Sequence, residues 1–230
     1  MLVQTYTKKL RAALSPRVSN VFSKLNTPNK IQDYLDALPI NFDMSGDLLS
    51  SKRVIEQGKA QCIEGALFAA ASLAYHGHKP ILMDFQTSSF DEDHVIALFS
   101  VPDGSASGGK EKRLWGAISK TNHAILRFRD PVYKTLRELA MSYFHEYYMH
   151  DGRKTMRAYS GAFDLRRYKP EFWVMSEESL EQIASDLDDV RHFPIVPKEK
   201  MKSLRRASPV ERKMLDHVEW KDPRKKRRSN

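Results

Sequence analysis

Ala60 to Ala74 leaves the chain little choice of structure. It is nearly free of helix breakers, with Gly65 the exception, and Ala66, Ala69, Ala70, Leu73 and Ala74 recur at three- and four-residue spacings. Small apolar residues at that spacing predict a buried helix that neighbours can approach closely. Gly58 ends the element before it, and Gly77 supplies the C-terminal stop. The chain's only cysteine, Cys62, falls in the first turn. Unpaired amide N–H groups and the positive end of the helix dipole favour a thiolate there, the reactive form of the side chain. A free cysteine is equally at home as a small buried hydrophobe. Position alone leaves both roles open.

Helical patterns precede this segment. Tyr6 to Leu14 reads as a helix, followed by an apolar patch at Val18, Val21, Phe22 and Leu25. Thr27-Pro28 opens another helix through Ile31, Tyr34, Leu35 and Leu38. Asp43 to Asp47 is a loop, and Leu48 to Gln57 a short helix. After Gly77 the period shortens, and Pro80–Gln86, His94–Val101, Leu114–Ser119 and Ala124–Arg129 read as four strands. A Gly- and Ser-rich loop, Pro102 to Lys112, is expected to be mobile, and Lys120 to Asn122 makes a tight turn. Thr135 to Tyr148 is a helix with an aromatic face, and Leu180 to Leu187 a shorter one. The expected class is α+β, a cysteine-bearing helix packed on an antiparallel sheet with flanking helices. Residues 1–26 form an N-terminal helical extension, 27–197 the domain, and 198–230 a basic, disordered tail.

A chain of 230 residues can bury a proper core. No apolar run approaches the roughly 20 residues needed to span a bilayer. The start of the chain lacks the charged, apolar and small-residue zones of a signal peptide, and one cysteine allows no internal disulfide. A cytoplasmic protein is expected. The formal charge is +9, but from Lys198 onward 13 Lys or Arg face 5 Asp or Glu, leaving +1 for the first 197 residues. Lys221 to Asn230 carries six cations in its first eight residues. Such a run attracts nucleic acid, an anionic membrane or an acidic partner without specificity, or merely solubilises the end of the chain.

A cysteine nucleophile needs an imidazole that takes its proton and returns it to a leaving group, and a third residue that orients the imidazole. His94 opens the second strand. If that strand pairs as a hairpin with Leu114–Ser119, Ser119 and the turn through Asn122 return to the His94 end. Asp130 would then lie about 20 Å away at roughly 3.3 Å per residue. Ser119 and Asn122 are therefore the candidates for the orienting role. A histidine beside acids at a strand end is also common without any function.

Three other signals carry less. His145-Glu-Tyr-Tyr-Met-His150 places its histidines five apart, so on a helix they point about 140° away from each other and cannot share a metal. Asp91, Glu92 and Asp93 are adjacent acids of a solvated loop. Gly104 to Gly109 lacks the lysine, serine and following helix of a phosphate cradle. No metal or cofactor is expected.

Gly58-Lys-Ala-Gln-Cys62-Ile-Glu-Gly-Ala66 resembles the signature of the transglutaminase-like superfamily: a glycine shortly before a helix-starting cysteine, and an alanine four residues after it. His94-Val-Ile-Ala-Leu98 resembles that family's histidine strand, and Trp115-Gly-Ala-Ile-Ser119 its third motif strand. The likeness covers about residues 54–131, a third of the chain. It implies a papain-like core in which Cys62 attacks the amide or ester carbonyl of a peptide or protein and His94 serves as base and acid. The family usually places an aspartate four residues after the tryptophan, where this chain has Ser119. Either Asn122 takes that role, as Asn does in papain-like enzymes, or catalysis is weakened or lost and the cleft only binds. Gln57 and Gln61 are candidates to help the Cys62 backbone N–H stabilise an oxyanion.

Overall fold

The computed structural model describes residues 1–43, 45–104 and 112–222. The Gly- and Ser-rich loop expected between Pro102 and Lys112 falls almost wholly outside the described residues. So does most of the cationic run, from residue 223 on.

Five helices precede the sheet: α1 (Val3–Ala13), α2 (Pro16–Lys24), α3 (Pro28–Asp36), α4 (Ser51–Gln57) and α5 (Cys62–Tyr75). Their starts follow local chemistry. The side chains of Ser15, Thr27 and Ser50 each accept an N–H at the start of α2, α3 and α4, and prolines open α2 and α3 where a missing N–H costs nothing. Gly58 takes a left-handed conformation (φ 63°) that a side chain would disfavour, and this turns α4 toward α5. Helix α5 is buried from Ile63 to Ala74, on all sides and not on one stripe.

Next come β1 (Ile81–Gln86), β2 (His94–Pro102), β3 (Arg113–Ile118), β4 (Arg129–Tyr133) and α6 (Leu136–Phe144). The chain continues through β5 (Ala158–Ser160), β6 (Phe163–Asp164), α7 (Pro170–Trp173), α8 (Glu181–Asp188), β7 (His192–Pro194) and the short α9 (Pro209–Arg212). Among the described residues the strands form one antiparallel sheet in the order β4-β3-β2-β1-β5-β7, with β6 also on β1. The fold is thus α+β.

Strand alternation divides the core. Leu82, Val95, Ala97 and Phe99 face α5 and the N-terminal helices. Met83, Phe85, Ile96, Leu98 and Ala117 face α6 on the other side of the sheet. Tyr6, Leu10, Val18 and Phe22 are buried in the same cluster as α5. Thr7 Oγ1 donates to the Ala74 carbonyl at 3.0 Å, and Trp173 Nε1 donates to Tyr6 Oη at 2.8 Å. Residues 1–26 therefore belong to the packed core, where their periodicity alone suggested an extension.

Three expectations are corrected. Ala124–Arg129 is not a strand; pairing begins at Arg129, and Leu126 sits at φ 64°. Helix α6 stops at Phe144, short of Tyr148, yet Tyr147 remains buried in the turn beyond it. The segment from Lys198 to Asp222 is ordered against the domain, because Tyr148 Oη donates to the Glu211 carbonyl (2.6 Å) and Asn122 binds the Trp220 backbone. No helix among the described residues is long and apolar enough to cross a membrane.

Candidate active site

The end of the sheet where β2 begins, the start of α5 and the loop after β3 enclose a cavity of about 700 Å³. Cys62, Gln61, His94, Asn122 and Tyr147 all line it. Each arrives for a local reason. Cys62 is the first residue of α5, pinned there by Glu64, whose buried carboxylate accepts the N–H of Gln61 (2.7 Å), the N–H of Leu49 (3.0 Å) and the amide of Asn41 (3.0 Å). His94 is the first residue of β2, and Ser119 follows the last residue of β3. The antiparallel register of those strands, with Ala97 opposite Ile118, returns Ser119 to the His94 end.

The contact made there has a definite polarity. Ser119 Oγ donates to the Leu126 carbonyl at 2.7 Å and lies 2.8 Å from His94 Nε2. Because the hydroxyl proton is committed to a carbonyl, the serine oxygen accepts from His94 Nε2–H. The imidazole thus holds its proton on Nε2 and leaves Nδ1 as the basic nitrogen. Sequence reasoning did not anticipate the groups that hold Ser119. Gln32 on α3 accepts the Ser119 N–H (3.0 Å) and donates to its carbonyl (2.8 Å). Leu126, in its left-handed conformation, presents its carbonyl to Ser119 and donates its N–H to Glu146 (3.2 Å). Glu146 is in turn paired with Arg129. A leucine at positive φ costs about 1–3 kcal/mol and persists only where neighbours over-determine it. Here it aims the carbonyl that sets the Ser119 hydroxyl.

Asn122 is not beside His94 in the same sense. Its side-chain amide donates to the Trp220 carbonyl and accepts the Trp220 N–H, both at 2.8 Å. Val218 bridges His123 in antiparallel fashion, and Glu219 pairs with Arg127. The turn that sequence offered as an orienting element therefore binds the C-terminal segment along one wall of the cavity. Asn122→Ala is expected to remove two hydrogen bonds worth about 0.5–1.5 kcal/mol each and to release that segment. Faster trypsin cleavage at Arg212 and Lys213 is the readout; unchanged cleavage would show that other contacts hold it.

Of the two glutamines, Gln61 lines the cavity beside Cys62. Gln57 ends α4 with its side chain exposed and does not line the cavity. Asp91 and Asp93 are held by Thr155 and Thr87 (2.5 and 2.7 Å), which makes them loop-ordering acids at the cavity rim. Among the described residues no three His, Cys, Asp or Glu side chains could hold a metal ion.

The helix start is only one of two opposing influences on the Cys62 sulfur. Backbone N–H groups of Val95 and Ile63 favour the ionised sulfur, but burial dominates and pushes the half-buried Cys62 thiol up to about 11. A helix terminus contributes only about 0.3–1 kcal/mol toward a thiolate, and the desolvation of the sulfur outweighs it. Burial, aided by His123, lowers His94 to about 4. At neutral pH the cavity therefore holds a protonated thiol and a neutral imidazole. A raised thiol pKa means less thiolate at every pH below it. Alkylation of Cys62 by iodoacetamide should therefore be slow at pH 6 and climb about tenfold per pH unit to about pH 11. Fast reaction at pH 6 would instead reveal an ion pair. Comparison with models of known protein families and with curated proteins finds no match for this sequence.

Proposed function

We propose that the protein is a cysteine-dependent acyl-transfer enzyme of the transglutaminase-like kind, with a papain-like core. The observation that carries this reading is the shared cavity of Cys62 and His94, with the His94 tautomer set by Ser119. The Cys62 sulfur attacks the carbonyl carbon of a peptide or protein amide or ester while its proton passes to His94 Nδ1. The tetrahedral adduct collapses as the C–N or C–O bond breaks, and the imidazolium returns its proton to the departing amine or alcohol. The thioester on Cys62 is then resolved by water, with His94 as base; an amine in place of water gives transfer. Ser119 is a positioning residue, an uncharged acceptor where the family usually has a carboxylate. It fixes the tautomer but stabilises the imidazolium less than a carboxylate does.

The test is acetylation by p-nitrophenyl acetate, located by peptide mass spectrometry. Acetyl on Cys62 of the wild-type chain, absent from Cys62→Ala and slow to form in Ser119→Ala, is the expected result. A second reading, a cleft that binds a peptide without turnover, is favoured by the resting neutral pair and by Ser119. It predicts that Cys62 is not acetylated at any pH below the ionisation of its thiol.

A further inference from the structure

Tyr147 lies in the turn after α6, with only 5% of its surface exposed. Its ring stands edge-on to Phe85 and tilted against His94, with centroids 6.4 Å away in each case. Its neighbours spend their hydroxyls on backbone carbonyls: Tyr143 donates to Arg127 at 2.9 Å and Tyr148 to Glu211 at 2.6 Å. The Tyr147 hydroxyl makes no hydrogen bond to any described residue, although the side chain lines the cavity with Cys62 and His94. Tyrosine hydroxyls on buried rings usually find a partner. A donor with no partner among the described residues, on a side chain that lines the cavity, is available to an acceptor atom of a ligand bound there. After burial, the group that most influences the phenol is Cys62, ahead of Asp91 and Asp84, and all of them raise its pKa. The phenol therefore stays protonated and remains a donor throughout the neutral range.

Resting on the assignment of Cys62 as nucleophile, we infer that the Tyr147 hydroxyl is a catalytic hydrogen-bond donor to the carbonyl oxygen of the acyl group that Cys62 attacks. When sulfur adds to the carbonyl carbon, the π electrons move onto oxygen. The Tyr147 O–H bonds to that oxygen without giving up its proton, and the Cys62 backbone N–H, which has no acceptor within its own helix, supplies a second donor. The electrons return to the carbonyl as the leaving group departs with the proton from His94. Gln57 is exposed and off the cavity wall, whereas Gln61 lines the cavity too; the Tyr147 ring is the one of these that packs against His94.

The experiment compares the full-length wild-type chain with Tyr147→Phe. Phenylalanine keeps the ring packing and removes a hydroxyl that has no protein partner, so the thermal midpoint should not fall. Two reactions of the same sulfur are followed: acetylation by p-nitrophenyl acetate, which passes through an oxyanion, and alkylation by iodoacetamide, which does not. The expected result is an acetylation rate lower by about 10²-fold with alkylation unchanged. Acetylation within about twofold of wild type, or an equal fall in both reactions as repacking would give, overturns the inference. If the wild-type chain is not acetylated on Cys62, the acyl-transfer reading fails and takes this one with it. That outcome is distinct, because it appears without any substitution at Tyr147.

Discussion

His94→Ala is expected to slow acetylation of Cys62 at pH 7 by about 10²- to 10⁴-fold, the range that a positioned base contributes. The size of the effect follows from the resting state of the pair. With the thiol near 11 and the imidazole near 4, no thiolate is stored in advance. The proton must leave the sulfur during attack, and only a base within the cavity can receive it. A pre-formed ion pair would already hold a thiolate at pH 6, which is why the alkylation profile is its companion measurement. The deficit of the variant should shrink as pH rises toward 11, because hydroxide then ionises the thiol without His94. A deficit that is absent at pH 7 would sink the assignment of His94 as base. One that is constant across pH would point to a packing role. Ser119→Ala should fall between the two, since it leaves the imidazole in place but frees its tautomer and strands a buried N–H, at a cost of about 1–3 kcal/mol.

The largest effect on stability is expected from Gly65→Ala. In an exposed helix this change gains about 1 kcal/mol, because alanine is the better helix former. At residue 65 the added methyl would sit 2.4 Å from Cβ and 3.0 Å from Cγ of Lys120. Lys120 cannot swing aside. It is fully buried, and its ammonium donates to the carbonyls of Leu35 and Leu38 at 2.8 and 2.5 Å, even though burial lowers its pKa to about 8. The clash therefore falls on the proximal part of a fixed side chain, and overpacking of that kind costs about 1–3 kcal/mol or more. Sterics outweigh propensity, so a net loss is expected in the urea midpoint. The site should suffer as well. Lys120 follows Ser119, and Gly65 lies one helical turn after Cys62, so relieving the clash moves the sulfur away from the imidazole. A misplacement of about 1 Å can cost about 10²-fold in rate. A stabilised variant with unchanged acetylation would show that α5 and the loop after β3 are not in close contact.

The correspondence between pattern and structure is uneven for identifiable reasons. Elements whose signals are local were legible: Thr27-Pro28 does open α3, Gly58 and Gly77 do take positive φ, and the runs at Ile81, His94 and Arg113 are strands. Ala124–Arg129 has the composition of a strand, yet the chain there bends through Leu126 to serve Ser119 and Glu146. Composition reports what a residue can do in a strand, not whether a neighbouring strand is in register to receive it. The tail misled in the opposite sense. Its charge suggested a free end, but Trp220 and Glu219 sit among cations and meet Asn122 and Arg127.

By itself the sequence determined the buried helix, the three strands that follow it, and the placement of Cys62 and His94 at the ends of their elements. Those features depend on spacings of a few residues, and hydrophobic burial reads such spacings directly. Tertiary structure alone decided that Ser119 and not Asn122 meets the imidazole, that Gln32 holds Ser119 across 87 residues of chain, and that Tyr147 joins Cys62 and His94 on the cavity wall. It also decided the protonation of the pair. The helix dipole acts through one turn and can be anticipated from position, whereas desolvation depends on every atom packed around the sulfur, and that sum exists only once the chain has folded.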